Sequence, residues 1–200
     1  MKKWGIAILL LVIVGCNNQS KHLPYLGTPV QIDNETNYPV IPPFSFVNQD
    51  SLPITEQYFA DKIYIADFIF LSCPTICPKM NSEMNIVYNE FKNNPDVLFL
   101  SHTVDPENDN CERLKNYTKG LNIDTKKWNF VTGNKDSIFY IAEMGYYSIA
   151  YSDSTAPGGL VHSGGLLLID KSRHIRGVYD GTNAEATKQL IKDIKLLLEE

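Results

Sequence analysis

The residues best suited to chemistry lie in the run Ser72-Cys73-Pro74-Thr75-Ile76-Cys77-Pro78. Two cysteines stand four positions apart, after an apolar run and just before a helical pattern that opens at Pro78. The start of a helix presents free N–H groups and the positive end of its dipole, and both favour negative charge. A cysteine held there has a lowered pKa and exists largely as thiolate, the form that attacks disulfides and the form that binds metal. The turn also brings the two sulfurs close enough to oxidise together or to chelate one ion. A purely stabilising disulfide across so small a loop would restrict the unfolded chain little. Redox or metal chemistry is therefore the favoured reading of the pair.

The elements that must position this pair follow from hydrophobic periodicity. Residues 63–71 (IYIADFIFL) are β-branched and aromatic, as in a strand buried on both faces. Met80, Met84, Val87, Tyr88 and Phe91 recur at threes and fours, the stripe of an amphipathic helix. Residues 97–104 read as a second apolar strand. Asp105-Pro106-Glu107 predicts a helix to about Lys119, capped by Asp105 and stopped by Gly120. Residues 128–132 predict a strand and 135–144 a helix. Residues 146–159, rich in Ser, Gly and Pro, read as irregular. Residues 164–170 and 174–179 predict an antiparallel pair, and 184–200 a final helix. Ahead of these, residues 44–55 predict a hairpin around Gln49-Asp50-Ser51. Strands alternating with helices imply an α/β layer fold with parallel crossovers. The order resembles a thioredoxin-like fold with an N-terminal β-hairpin extension.

Thiol oxidoreductases of the thioredoxin type carry two residues between their cysteines and a proline before the facing strand. Here there are three residues, and the matching stretch Leu160-Val161-His162-Ser163-Gly164-Gly165 has no proline. His162 stands there instead. In a thioredoxin-like sheet that point lies beside the turn carrying the cysteines, so His162 can complete a site of two thiolates and one imidazole. Thiolates suit Cu(I), and an added imidazole also suits Cu(II). Structural zinc wants four protein ligands, and only three converge.

Six ordered blocks resemble the Sco (SCO1/SenC) family of copper-binding cytochrome c oxidase assembly factors. They are Ala66-Asp67-Phe68-Ile69-Phe70, the cysteine motif Cys73 to Pro78, and Thr103-Val104-Asp105-Pro106-Glu107-Asn108-Asp109. Trp128-Asn129-Phe130-Val131-Thr132-Gly133, Val161-His162-Ser163 and Tyr179-Asp180-Gly181 complete the series. The resemblance implies that Cys73, Cys77 and His162 bind one copper ion and that Cys73 and Cys77 form a redox pair. It implies delivery of copper to the dinuclear copper site of the oxidase, reduction of that site's cysteines, or both. The implied partners are the oxidase subunit holding that site, a thiol reductant and a copper donor. Asp67 and Asp105 match acidic positions near the family's site. The chain departs from the family at Asn110-Cys111, where a Thr-Pro is usual.

The opening sixteen residues, MKKWGIAILLLVIVGC, predict a secretory signal at 1–15. Ile13-Val14-Gly15-Cys16 resembles a lipobox, which implies lipidation at Cys16. Residues 16–43, with five prolines and no helical period, predict a tether, and 44–200 the folded domain. The expected location is the cell envelope, lipid-anchored to a membrane and facing outside the cytoplasm. A net charge of −5 argues against nucleic acid. Hydrophobic content of 44% supplies an ordinary core. Cys111 reads as a half-buried apolar residue, His22 and His174 as surface groups, and His102 as a bonded inner-strand polar group. A peroxidase of this fold would need an arginine near its cysteine, and the first arginine in the chain is Arg113.

Overall fold

The computed structural model describes residues 22–156 and 159–200. The signal segment and Cys16 lie outside the described residues. The first hairpin, β1 (Val30–Ile32) and β2 (Glu35–Asn37), is exposed. Its turn residues Asp33 and Asn34 sit at φ 50° and 66°, the left-handed geometry that two-residue hairpins require and that Asp and Asn tolerate. A second hairpin, β3 (Ser45–Asn48) and β4 (Pro53–Thr55), turns at Gln49-Asp50-Ser51 as the sequence predicts. Then come β5 (Ile63–Ile69), α1 (Cys77–Phe91), β6 (Val97–Thr103), α2 (Cys111–Leu121) and β7 (Trp128–Thr132). After α3 (Lys135–Tyr140) and one π turn follow β8 (Ala150–Ser152), β9 (Leu160–His162), β10 (Gly165–Ile169), β11 (Ile175–Asp180) and α4 (Ala184–Glu199).

Seven strands form the main sheet in the order β11-β10-β5-β6-β7-β3-β4. The fold is α/β and thioredoxin-like, with the N-terminal hairpin β3-β4 added at one edge. All seven residues of β5 are buried. Successive side chains of a strand face opposite ways, so burial of all of them means that both faces are covered. Fully buried Ile63, Ile65 and Phe68 each contribute roughly 1.5–3 kcal/mol of hydrophobic stabilisation. Helix α4 packs on β5, β11 and α1, and α2 packs on β7 and β3.

Strand direction places the site. β5, β6 and β7 run parallel, so the loop leaving β5 and the turn leaving β6 emerge at one end of the sheet. β10 runs antiparallel to β5, with Leu167 opposite Ala66 and Ile169 opposite Tyr64. The start of β10 therefore lies beside the end of β5, and the residues just before β10 arrive next to the cysteine loop.

Three expectations change. Residues 105–110 form a turn, not the first part of a helix: the Asp105 carbonyl accepts from Asn108 N at 3.1 Å and from Asp109 N at 2.7 Å. The cap of α2 is Asn110, whose side chain accepts from Arg113 N at 2.9 Å. Asp105 caps nothing; its carboxylate accepts from the Asn108 amide. Residues 150–152, within the stretch 146–159 predicted irregular, instead pair with residues 160–162 as a hairpin. Part of the stretch expected as tether, residues 16–43, is bonded to the domain, at Leu23, Leu26 and Ile41. Leu23 and Leu26 pack on the core, and Leu26 N donates to Ile175 O at 2.9 Å.

The fastening there is Arg176, whose side chain is only 3% exposed. It pairs with Asp170 at 3.1 Å and Glu200 at 2.7 Å, donates to the Leu23 and Pro24 carbonyls, and lies over the Tyr25 ring. His174 is drawn into the same cluster, 3.5 Å from Asp170 and edge-on to Tyr25, so it is not a free surface group. Burial pushes the Glu200 carboxyl up, but the Leu23 N–H and Arg176 outweigh it and hold it below its ordinary value. Breaking a buried pair strands its partners without water. Arg176→Met should lower unfolding stability by about 3 kcal/mol in urea titration. Because the folded Glu200 value is depressed, its share of stability is present above about pH 4.3 and is lost as pH falls below it. A change under about 0.5 kcal/mol would mean that the cluster is an ordinary surface feature.

Candidate metal centre

Cys73 leaves the sheet on a tight turn, with its N–H donating to the Phe70 carbonyl at 3.1 Å. Helix α1 begins four residues later with Pro78 in its first turn, and the residue at its N-cap position, Ile76, offers no side-chain cap. The first N–H groups of a helix have no partners within it. The Cys73 sulfur takes up that role. Burial pushes its thiol up, but the backbone N–H groups of Cys77 and Thr75, with the Thr75 hydroxyl and the Cys77 thiol, outweigh this and bring it down to about 6. The Thr75 hydroxyl lies 3.6 Å from the sulfur.

Cys77 behaves oppositely. Burial pushes its thiol far up; a backbone contact at Phe70 offsets this in part, and negative charge on Cys73 and Asp67 adds to the rise. The pair is thus a ready thiolate beside a held proton. Both sulfurs are free thiols in this structure.

His162 closes β9, opposite Ala150 of β8. Two bonds hold the following residue to the hairpin: Ser163 N donates to the Ile149 carbonyl at 2.9 Å, and the Ser163 and Ser148 hydroxyls meet at 2.8 Å. The imidazole stands edge-on to Phe70, with ring centroids 5.5 Å apart. Nδ1 lies 3.0 Å from the Ser163 carbonyl. A carbonyl only accepts, so Nδ1 carries the proton and Nε2 presents a bare lone pair. That lone pair points at Cys77 Sγ, 3.2 Å away. The donor atoms of Cys73, Cys77 and His162 all lie within 4.8 Å of one another. Their exposures are 9%, 7% and 8%, so an ion held there would be largely shielded from water. Behind His162, Gly181 N donates to the Gly164 carbonyl at 2.8 Å. A side chain at Gly181 would collide with that carbonyl, which accounts for glycine in the Tyr179-Asp180-Gly181 block.

The SCO1/SenC family model matches residues 32–199. This chain belongs to the SCO1/SenC family. Three solved Sco structures show how far the likeness extends. A SCO1/SenC family lipoprotein from Bacillus anthracis is 30% identical with a TM-score of 0.72, the match covering 86% of this chain and 99% of that one. BsSco, described with a disulfide switch and as a member of the Sco family of cytochrome c oxidase assembly proteins, is 29% identical with a TM-score of 0.70, covering 84% and 98%. Arabidopsis thaliana ScoI, solved with copper bound, shares the fold at 24% identity and a TM-score of 0.65, covering 78% and 99%.

Among the described residues, Cys73, Cys77 and His162 form the only such cluster of metal-ligating side chains in this Sco chain. Cys111 opens α2 half-buried and outside it. Asp67 lies fully buried behind the site; burial pushes its carboxyl up to about 7, with Ser101 opposing. Ser101 in turn receives the Trp128 indole N–H at 2.9 Å. His102 is not a ligand, as the sequence predicts: it lies on β6, outside the cluster, with a backbone hydrogen bond at Asp67. It stacks on Phe68 with Phe44, Phe46 and Tyr146 around it, and burial depresses it to about 3, so it stays neutral.

Sequence reasoning missed Asp109, Arg113 and Ser72. The Arg113 guanidinium donates to the Ser72 hydroxyl at 2.7 Å, one residue from Cys73. The arginine that looked remote is therefore a neighbour of the cysteine loop, already engaged by Asp109 and Ser72. Asn110, three residues before Arg113, was the one local sign, because it fixes where α2 starts.

The two thiols should separate in alkylation with iodoacetamide. The rate at Cys73 follows its thiolate fraction, so it should reach half its maximum near pH 6 and level off above neutrality. Cys77 should remain unmodified over the same range. A Cys73 midpoint near the ordinary thiol value of about 8.5 would show that the helix start does not stabilise its anion. Thr75→Val should move the midpoint upward.

Proposed function

We propose that this protein is a copper-binding metallochaperone for the dinuclear copper site of cytochrome c oxidase. The observation that carries the reading is the bare Nε2 of His162, 3.2 Å from Cys77 Sγ, within one cluster that also holds Cys73. Two sulfur donors and one imidazole suit copper in both its common oxidation states. Only three such side chains meet among the described residues, one short of the closed set that structural zinc takes. An ion with an open side is one that a partner can take over. The relatives support the same reading: one was solved with copper bound and another is described as a member of the Sco family of cytochrome c oxidase assembly proteins.

The chain's own part in this is to present and release. Cys73 is ready as a thiolate, Cys77 yields a proton on binding, and Ser163 holds the imidazole in its ligating tautomer. The partners of this reading are the oxidase subunit that receives copper, a copper donor and a thiol reductant. The protein works outside the cytoplasm, lipid-anchored at Cys16. That placement rests on the opening sequence and on the Bacillus anthracis relative being a lipoprotein. Among the described residues no helix is long and apolar enough to cross a membrane.

The split between the thiols favours a second reading, a thiol-disulfide reductase. The Cys73 thiolate attacks a client disulfide, forming a mixed disulfide and releasing one client thiolate. Cys77 then loses its proton and attacks Cys73 Sγ, releasing the second thiolate. Two electrons pass to the client, and Cys73 and Cys77 end as a disulfide that the reductant must reopen. The proton that Cys77 loses ends on a released client thiolate, and His162 forms no covalent bond in these steps.

One substitution separates the two. His162→Ala should weaken Cu(II) binding by more than the roughly 100-fold that losing a ligand's hydrogen-bond partner costs, and should leave disulfide exchange at the wild-type rate. Titration with copper followed by absorption spectroscopy checks the first, and reduction of a dithiol client checks the second. Unchanged copper affinity and spectrum in His162→Ala would overturn the copper reading.

A further inference from the structure

The loop that carries Cys73 has no helix or strand of its own, yet two consecutive residues just before the cysteine are tied down. The Leu71 N–H donates to Asp109 Oδ2 at 3.0 Å, and the Thr103 hydroxyl donates to the same oxygen at 2.7 Å. Oδ1 of Asp109 lies 3.0 Å from Nη1 of Arg113. Nη2 of Arg113 then reaches Ser72 Oγ at 2.7 Å. One carboxylate thus joins the end of β6, the start of α2 and the loop after β5, and one guanidinium carries the tie to the next residue.

The Asp109 side chain has no exposure to water. A buried carboxylate is costly unless hydrogen-bonded and paired. Burial pushes its pKa up, while Thr103, Leu71 and Arg113 oppose the rise. A group kept at such a cost solely for overall stability could be replaced by an apolar residue of similar size. Its partners are instead Leu71, Thr103 and Arg113, and Arg113 carries the tie to Ser72, the residue before Cys73. An N–H donating to a carboxylate and a guanidinium hydrogen bond are both charge-assisted and directional, so they fix position as well as add energy.

We infer that Asp109 and Arg113 are positioning residues for the Cys73 loop. They hold Leu71 and Ser72 so that the Cys73 sulfur stays over the start of α1 and in reach of Cys77 and His162. Neither touches the donor atoms. The consequence for copper rests on the copper reading above; the consequence for loop rigidity does not.

The test uses the full reduced chain and three single variants: Ser72→Ala, Arg113→Met and Asp109→Asn. Ser72→Ala and Arg113→Met change partly exposed side chains and should fold. Amide hydrogen exchange of the metal-free protein should speed up on the order of tenfold at Leu71–Cys73, the effect of freeing one charge-assisted bond, while Ile65 in β5 keeps its wild-type rate. Asp109→Asn should reproduce Arg113→Met, because its amide turns an N–H towards the guanidinium. Cu(I) transfer to a chelator should accelerate about tenfold in the same variants, the low end of what loss of a ligand's support costs. Adding Ser72→Ala to Arg113→Met should change neither quantity further, because both remove the same contact.

Wild-type exchange at Leu71–Cys73 in Ser72→Ala and Arg113→Met would overturn the inference. So would faster exchange with unchanged copper transfer, and so would acceleration spread evenly over β5. If the wild-type protein held no copper, the copper reading would fall and the exchange measurement would still decide the loop's rigidity.

Discussion

β5 is buried along its whole length and lies between two strands of opposite sense, β6 parallel to it and β10 antiparallel. Everything at the candidate metal centre depends on that arrangement. A parallel neighbour puts the ends of β5 and β6 side by side, so the turn after β6 can brace the loop after β5. An antiparallel neighbour brings the start of β10 to the same place, so His162 arrives from a segment 85 residues beyond Cys77. Hydrophobic burial secures the strand, and the strand's two edges select which distant residues meet.

Within the centre, one local imbalance sets the chemistry. α1 starts with no side-chain cap, so its first N–H groups are available to a sulfur. Cys73, in the loop, faces them and is drawn towards the thiolate. Cys77, inside the helix, is held towards its protonated form by burial and by the neighbouring negative charges. Two cysteines four positions apart are therefore unlike: one is drawn towards the thiolate, and the other is held in its protonated form. The imidazole fits this imbalance, because its bare nitrogen faces the Cys77 sulfur at 3.2 Å.

The opposite end of β5 carries the other concentration of buried charge. Arg176, Asp170 and Glu200 meet there, beside Ile63, and close on Leu23, Pro24 and Tyr25. Ile69 lies six residue steps beyond Ile63, about 20 Å of extended strand. The chain therefore joins the domain at the pole away from the metal centre. Two ion-pair clusters bracket the sheet, one buried around Arg176 and one running from buried Asp109 to the partly exposed Arg113. One fastens the N-terminal segment and the last residue, and the other fastens the cysteine loop.

Periodicity and turn residues made the frame legible: β5, α1, β6, β7, β10, β11 and α4 lie where alternation, helical stripes and glycine or asparagine stops place them. The cysteine pair was legible because strand, turn and helix start are local features, and His162 because it stands where a thioredoxin-like sheet returns. What was not legible depended on bonds between distant residues. Asp105-Pro106 has the pattern of a helix start, but the Asp109 carboxylate is claimed by Leu71 and Thr103, so the chain turns inward and α2 begins at Cys111. Residues 146–159 look irregular because β8 and β9 are three residues each, too short to leave a period. The proline-rich stretch looked like free tether, since nothing local foretells Arg176 reaching back to Leu23. By itself the sequence determined which residues could bind a metal and which strands would be buried, since side-chain chemistry and periodicity are properties of short segments. Only the tertiary structure decided which lone pair faces which sulfur and which charges hold the loop in place, because those depend on directions and distances between segments that the chain brings together from far apart.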